Sequence, residues 1–158
     1  VVPAFTIMGH NYKSGNRLGL PRQLVCLKDL YSNCIQSIKL ANGRLTCIMV
    51  LKPSPESCEY KVRIESGPEE WPHVWLLSPQ LEKVNGKLPH HLYTHKHPGK
   101  YPELCVFDCR KECNELRKDM LWGKTLVPWI LSWLSAYEYW TITGEWHHAQ
   151  TIGTVQLE

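Results

Sequence analysis

The sequence predicts one domain that contains both helices and strands, in the broad sense α/β and more narrowly α+β. In this domain an antiparallel four-strand meander is flanked by helices. Residues 59–65 alternate charged and apolar side chains without interruption, as in a strand with one face on a core and one in water. A wide apolar stripe on residues 126–140 is typical of a helix packed on such a sheet. The chain has 158 residues, 43% of them hydrophobic, and we expect residues 1–158 to form a single domain.

The first helix is expected over residues 20–31, where apolar residues recur at i, i+4, i+7 and i+11. These residues are Leu20, Leu24, Leu27 and Tyr31. The second is expected over residues 125–139, with Thr125 as its N-cap, Pro128 tolerated in its first turn and Gly144 available to end it.

Four short segments predict the strands of the meander. Residues 35–41 and 44–51 are joined by an Asn-Gly pair, the strongest short hairpin signal. Residues 59–65 and 74–77 follow after Pro- and Gly-containing turns. Because the connections are short, we expect sequential antiparallel pairing.

Charge and hydropathy exclude several classes of function. Eighteen Lys and Arg against fifteen Asp and Glu leave a net charge of +3, which is too small to predict nucleic-acid binding. The most apolar stretch, residues 126–142, is too short and too polar for a membrane span. We therefore expect neither a nucleic-acid partner nor a membrane partner.

The number of cysteines and the character of residues 1–12 indicate in which cellular compartment the protein is expected. Seven irregularly spaced cysteines, an odd number, argue against a secreted disulfide scaffold. Residues 1–12 lack a basic region followed by a long apolar run, so no secretion signal is visible. We expect a cytoplasmic protein whose thiols are reduced.

Residues 78–101 are rich in His, Lys, Pro and Gly, and long loops in compact domains often carry function. Four of the eight histidines and one cysteine lie within sixteen positions at its end. They are His90, His91, His95, His97 and Cys105. Cys105 stands where the irregular loop meets an apolar run, so its thiol can be both accessible and fixed. A thiolate attacks an acyl carbon better than any other side chain at neutral pH, which makes Cys105 a candidate nucleophile.

Two other interpretations exist for the same residues. Cys105, Cys109 and Cys113 are spaced by four and would line one face of a helix, where nearby histidines could complete a zinc site. Structural zinc usually has paired C-x2-C ligands, so we expect no metal and no cofactor, and a metal-dependent hydrolase is a lesser alternative. The third interpretation is a solvated, cationic loop without chemistry.

The order of elements resembles the ubiquitin-conjugating (E2) fold, whose enzymes place the catalytic Cys eight residues after the Asn of a His-Pro-Asn tripeptide. Counting back from Cys105 puts His95, Lys96 and His97 in the His, Pro and Asn slots. In E2 enzymes the Asn is associated with the oxyanion, and His97 could donate an equivalent hydrogen bond. An insertion would assign that role to His91 or His95 instead.

Later motifs resemble a narrower family, the bacterial E2-like proteins of CBASS anti-phage operons, particularly the short type II systems. The resemblance covers residues 20–146. It is carried by P-x-L-C-x-F around Cys105 and by W-L-x-x-Y-E-x-W-x-x-T-G-x-W over residues 133–146.

This resemblance implies acyl transfer through a Cys105 thioester. The expected partner is a cGAS-like nucleotidyltransferase (CD-NTase), whose C-terminal carboxyl group would be accepted by the thiol and passed to an amine. The resemblance leaves open which amine accepts it and whether a separate E1-like activator supplies it. The main alternative is a catalytically silent E2 variant that clamps the cyclase. The missing Asn supports that alternative, and the retained Cys105 argues against it.

Overall fold

A computed structural model of the chain describes residues 17–93, 100–108 and 115–146. Its two helices are α1 (Leu20–Tyr31) and α2 (Leu126–Thr143), and a short 3-10 helix, Trp122–Lys124, precedes α2. The strands are β1 (Ile35–Ala41), β2 (Arg44–Leu51), β3 (Tyr60–Ser66) and β4 (His73–Ser78). They form one antiparallel sheet in the order β1-β2-β3-β4, so the predicted α+β meander with flanking helices is confirmed.

The hairpin between β1 and β2 has the predicted bounds. Asn42 and Gly43 both have positive φ, 52° and 72°, which matches the twist of the flanking strands. One face of β2 is fully buried, as its alternation predicts. Its core residues are Leu45, Cys47, Met49 and Leu51.

The bounds of β3 and β4 differ slightly from the prediction. β3 begins at Tyr60 rather than at residue 59, because Tyr60 pairs with Leu51, the last residue of β2. It extends to Ser66, which pairs with Leu45. β4 is one residue longer than expected at each end. Strand ends thus follow the available backbone partners rather than the side-chain alternation.

Helix α1 has the predicted bounds, and its buried positions are Leu20, Gln23 and Leu27. Helix α2 continues past residue 139 to Gly144, whose left-handed backbone (φ 76°) donates its N–H to the Trp140 carbonyl at 2.8 Å. Thr125 is the N-cap residue of α2, as predicted, but its side chain makes no capping hydrogen bond. The preceding 3-10 turn brings the Leu121 carbonyl within 2.9 Å of the Thr125 hydroxyl, which donates to it.

The core lies between one face of the sheet and the two helices. Trp133 of α2 is 4% exposed and stacks on Tyr137, with ring centroids 5.7 Å apart, as the apolar stripe predicts. Gln23 of α1 is buried and fixes the segment before α2, because it donates to the Met120 carbonyl and accepts from Trp122 N–H. In the described ranges, neither helix combines the length and apolar character needed to cross a membrane.

Candidate active site

The segment that carries Cys105 pairs with the free edge of β4. Leu76 N–H donates to the Pro102 carbonyl at 3.0 Å, and Leu104 N–H donates to the Val74 carbonyl at 2.8 Å. The side chain of Leu104 is 2% exposed and belongs to the core. The backbone immediately before Cys105 is therefore fixed by two hydrogen bonds and one buried anchor.

The other side of this segment pairs with the chain that leads into the histidine-rich loop. Tyr93 N–H donates to the Glu103 carbonyl at 3.0 Å, and Cys105 N–H donates to the His91 carbonyl at 2.8 Å. Cys105 is thus the last paired residue of a short stretch that has hydrogen-bonded neighbours on both sides.

The side chain of Cys105 is partly exposed and carries a reduced thiol. Its S–H donates to the Phe107 carbonyl oxygen at 3.7 Å, and the Tyr93 hydroxyl donates to the same oxygen at 3.2 Å. A carbonyl oxygen accepts but cannot donate, so it is a partner for the thiol and not for the thiolate. The Phe107 carbonyl is therefore a contact that favours the thiol form of Cys105, and it is shared with the Tyr93 hydroxyl.

His91 lies beside Cys105 through its backbone. It has φ 59°, a left-handed conformation that is uncommon outside glycine and clusters at functional sites. Its carbonyl accepts from Cys105 N–H and also from Trp133 Nε1, 3.0 Å away. Its imidazole ring is exposed and lies 5.4 Å from the Trp146 ring. The rings of Trp133 and Trp146 are in edge contact, with their centroids 5.1 Å apart. His91 therefore contacts two aromatic side chains, Trp146 through its ring and Trp133 through its carbonyl.

Glu103 and His73 form an ion pair next to the cysteine. The Glu103 carboxylate is buried, and its Oε2 is 2.8 Å from His73 Nδ1. The hydrogen bond that His73 Nδ1–H donates to the Glu103 carboxylate raises the pKa of His73 above its ordinary value. Partial burial of the ring acts in the opposite direction. Glu70 and Glu65 add to the upward shift.

A cationic and aromatic strip adjoins the same edge. Tyr101 lies between two cations, with the Arg63 guanidinium 5.8 Å and the Lys100 ammonium 5.3 Å from its ring centroid. Arg63 also lies 5.9 Å from the Trp75 ring. Lys100 is exposed, but its ammonium group also makes a cation–π contact with the ring of the neighbouring Tyr101.

The predicted site residues divide into two groups. Cys105 and the backbone of His91 are brought together. The remaining candidates lie outside the described residues. They are His95, His97, Lys96, Cys109 and Cys113.

The zinc alternative gains no support from the described ranges. Within residues 17–93, 100–108 and 115–146, no group of three or more His, Cys, Asp or Glu side chains could hold a metal ion.

Sequence reasoning missed His73, Tyr93 and Trp133 as neighbours of the cysteine. Their places follow from the pairing of residues 102–104 with β4 and of residues 91–93 with that segment. No local pattern in the sequence signals this pairing.

The fold and this site together define a class of protein. A four-strand antiparallel meander with flanking helices, followed by a paired segment that ends in a cysteine, is compatible with an E2-like α+β domain. A family model described as Type II CBASS E2 protein matches residues 23–153. The chain therefore belongs to the type II CBASS E2 family and has a CBASS-associated, conjugation-related role. Comparison with curated proteins yields no match.

Proposed function

We propose that the chain is a cysteine-dependent acyl carrier and transferase that acts on the CD-NTase of its CBASS system. Cys105 accepts the C-terminal carboxyl group of that enzyme as a thioester and passes it to an amine. One observation carries this proposal: the segment that ends at Cys105 is paired on both sides, and Cys105 N–H itself donates to the His91 carbonyl, while the Cys105 side chain stays partly exposed. A nucleophile needs this combination of fixed position and access.

The chemistry is two successive acyl substitutions. The Cys105 thiolate attacks the carbonyl carbon of an activated carboxyl group, the S–C bond forms, and the activating group leaves with its electron pair. An amine then attacks the thioester carbon, the C–N bond forms, and the Cys105 thiolate leaves. The nitrogen of the attacking amine becomes positively charged as the C–N bond forms, and the proton that it then loses goes to a nearby base or to water.

The first step begins from the protonated thiol. The contact between Cys105 S–H and the Phe107 carbonyl must break, because the thiolate is the attacking form. The Phe107 carbonyl then keeps the hydrogen bond that the Tyr93 hydroxyl donates to it. A reducing, cytoplasmic compartment, which the proposal assumes, keeps such a thiol available for this chemistry.

The oxyanion of each tetrahedral intermediate needs a hydrogen-bond donor. His97 is the first candidate, because its spacing of eight residues from Cys105 matches the Asn slot of E2 enzymes. His95 and His91 are the alternatives. His97→Ala should lower transfer by about a hundredfold, the lower end of what an oxyanion-hole donor contributes, while the circular dichroism spectrum stays unchanged. His90→Ala is the matched control, because its exposed side chain should leave transfer unaffected. If His97→Ala transfers the acyl group at the wild-type rate, His97 is not the donor to the oxyanion, and His95 or His91 becomes the candidate.

The experiment that tests the proposal is co-expression of the chain with its operon's CD-NTase, followed by intact-mass measurement. Wild type should carry an adduct that hydroxylamine or a thiol reductant removes, since a thioester is labile to both. Cys105→Ser should give a hydroxylamine-resistant ester or no adduct. The co-expression is repeated with an added E1-like activating enzyme, because the activated carboxyl group can depend on a separate protein. Co-purification of the two proteins without any adduct, in both arms, would favour the silent clamp.

A further inference from the structure

Glu103 is a buried carboxylate on the segment that presents Cys105. It is 4% exposed, and burying a carboxylate is costly unless a partner compensates. His73 Nδ1, at 2.8 Å, supplies that partner from β4. The pair thus connects the cysteine-bearing segment to the sheet through side chains as well as through backbone.

The register of this pairing can be continued from its bridge toward Cys105. Trp75 lies opposite Glu103 in an antiparallel bridge. If the same register holds for two more residues along each chain, His73 is the residue of β4 that comes opposite Cys105. Directly opposed residues in such a pair have Cβ atoms roughly 5 Å apart.

Side-chain alternation assigns these residues to one face. The two core residues of β4, Val74 and Leu76, and the segment's Leu104 are buried in the core. The intervening residues belong to the opposite face of the sheet. They are His73, Trp75, Glu103 and Cys105.

We propose that His73, held by Glu103, is a positioning residue for the Cys105 nucleophile. The pair fastens the segment to β4 beyond its last backbone hydrogen bond, which is Leu104 N–H to the Val74 carbonyl. It also holds the His73 ring, which stacks with Trp75 at a centroid distance of 6.1 Å, on the face of the sheet to which the alternation assigns Cys105. Positive charge near a thiol favours the thiolate. This inference rests on the proposed function only in taking Cys105 as the nucleophile.

The charges that face His73 favour the protonated form of its ring. Glu103 contacts it from the cysteine-bearing segment, and Glu70 and Glu65 act from the loop before β4 and from β3. Glu65 is itself engaged by Trp75 Nε1 at 2.9 Å and by Arg63 at 3.6 Å. Three carboxylates therefore favour the imidazolium, and the ring remains cationic to higher pH than an ordinary histidine.

The test is the pH dependence of Cys105 alkylation by iodoacetamide in the purified full chain, read peptide by peptide in a mass spectrometer. His73→Asn keeps a hydrogen-bond donor for Glu103 but removes the cation. It should slow Cys105 alkylation at neutral pH by about fivefold and move the rate profile to higher pH, the effect expected on losing a neighbouring cation. A merely structural role for His73 would not move this profile.

Two internal controls and one variant control come with the same measurement. Cys58 is exposed and should react equally in all proteins, and Cys47 is buried and should stay protected while the fold is intact. His90→Asn should leave the Cys105 profile unchanged. If Cys47 becomes reactive in His73→Asn, the comparison is made in His73→Gln.

An unchanged Cys105 rate and profile in the folded variant would overturn the proposal. Alkylation needs neither the CD-NTase nor an activating enzyme, so this result is independent of whether the thioester is ever observed.

Discussion

The indole nitrogen of Trp133 and the main-chain nitrogen of Cys105 donate to the same oxygen, the carbonyl of His91, at 3.0 and 2.8 Å. Trp133 is a core residue of α2, whereas Cys105 ends a short paired segment at the edge of the sheet. The shared acceptor therefore connects the helix that fills the core to the backbone of the candidate nucleophile. The left-handed conformation of His91 presents this carbonyl to both donors.

Trp133→Phe should remove one of these two donors and lower stability. The His91 carbonyl keeps its bond from Cys105 N–H, so the expected loss in the free energy of unfolding is about 1–2 kcal/mol. Chemical denaturation followed by circular dichroism measures it. Trp129→Phe is the matched control, because Trp129 is only partly buried on the same helix and its indole bonds to no described residue. An equal loss in both variants would show that the shared carbonyl contributes nothing specific.

Gln23→Leu should be more damaging, although it replaces a polar residue in the core by an apolar one. It would leave the Met120 carbonyl and the Trp122 N–H without their buried partner, at a cost of about 2–4 kcal/mol. Thermal or urea unfolding measures this loss. Gln36→Leu, at an exposed position of β1, should change stability by less than about 0.5 kcal/mol. A stabilised Gln23→Leu variant would contradict the role of Gln23 in holding the segment before α2.

The His73–Glu103 pair should make stability depend on pH with a definite sign. Glu103 raises the pKa of His73 in the folded protein above its unfolded value of about 6.5. The pair's contribution is therefore complete below the unfolded value and is lost as pH rises through the folded pKa. The stability difference between wild type and His73→Asn should be larger at about pH 6 than at about pH 8.5, as measured by urea unfolding at each pH. A difference that grows with pH would contradict the pairing, and His90→Asn should show no such dependence.

Much of the fold was predictable because its signals are local. The Asn42-Gly43 turn needs two residues with positive φ, and the alternation in β3 requires one buried face, so both can be recognised in a few residues. The same locality explains the correct bounds of α1. The N-cap position of Thr125 is local in the same sense, whereas the partner of its hydroxyl is set by the turn before α2 rather than by the helix itself.

The candidate site was predictable only in part. Cys105 stands out in the sequence as a thiol between a polar loop and an apolar run. His73 does not, because its relation to Cys105 comes from the register between β4 and a segment that follows about 25 residues later, and register is a tertiary property. Gln23 was missed for a related reason: its two partners lie in the segment before α2, far away in sequence.

The most direct test of Cys105 as the acyl carrier is peptide mapping of the adduct formed with the CD-NTase. The C-terminal peptide of that enzyme should be found linked to the Cys105 peptide, and the linkage should disappear in Cys105→Ala without loss of fold. Cys58→Ala removes an exposed thiol elsewhere and should leave the adduct intact. An adduct that persists in Cys105→Ala, or that maps to Cys58, would contradict the assignment.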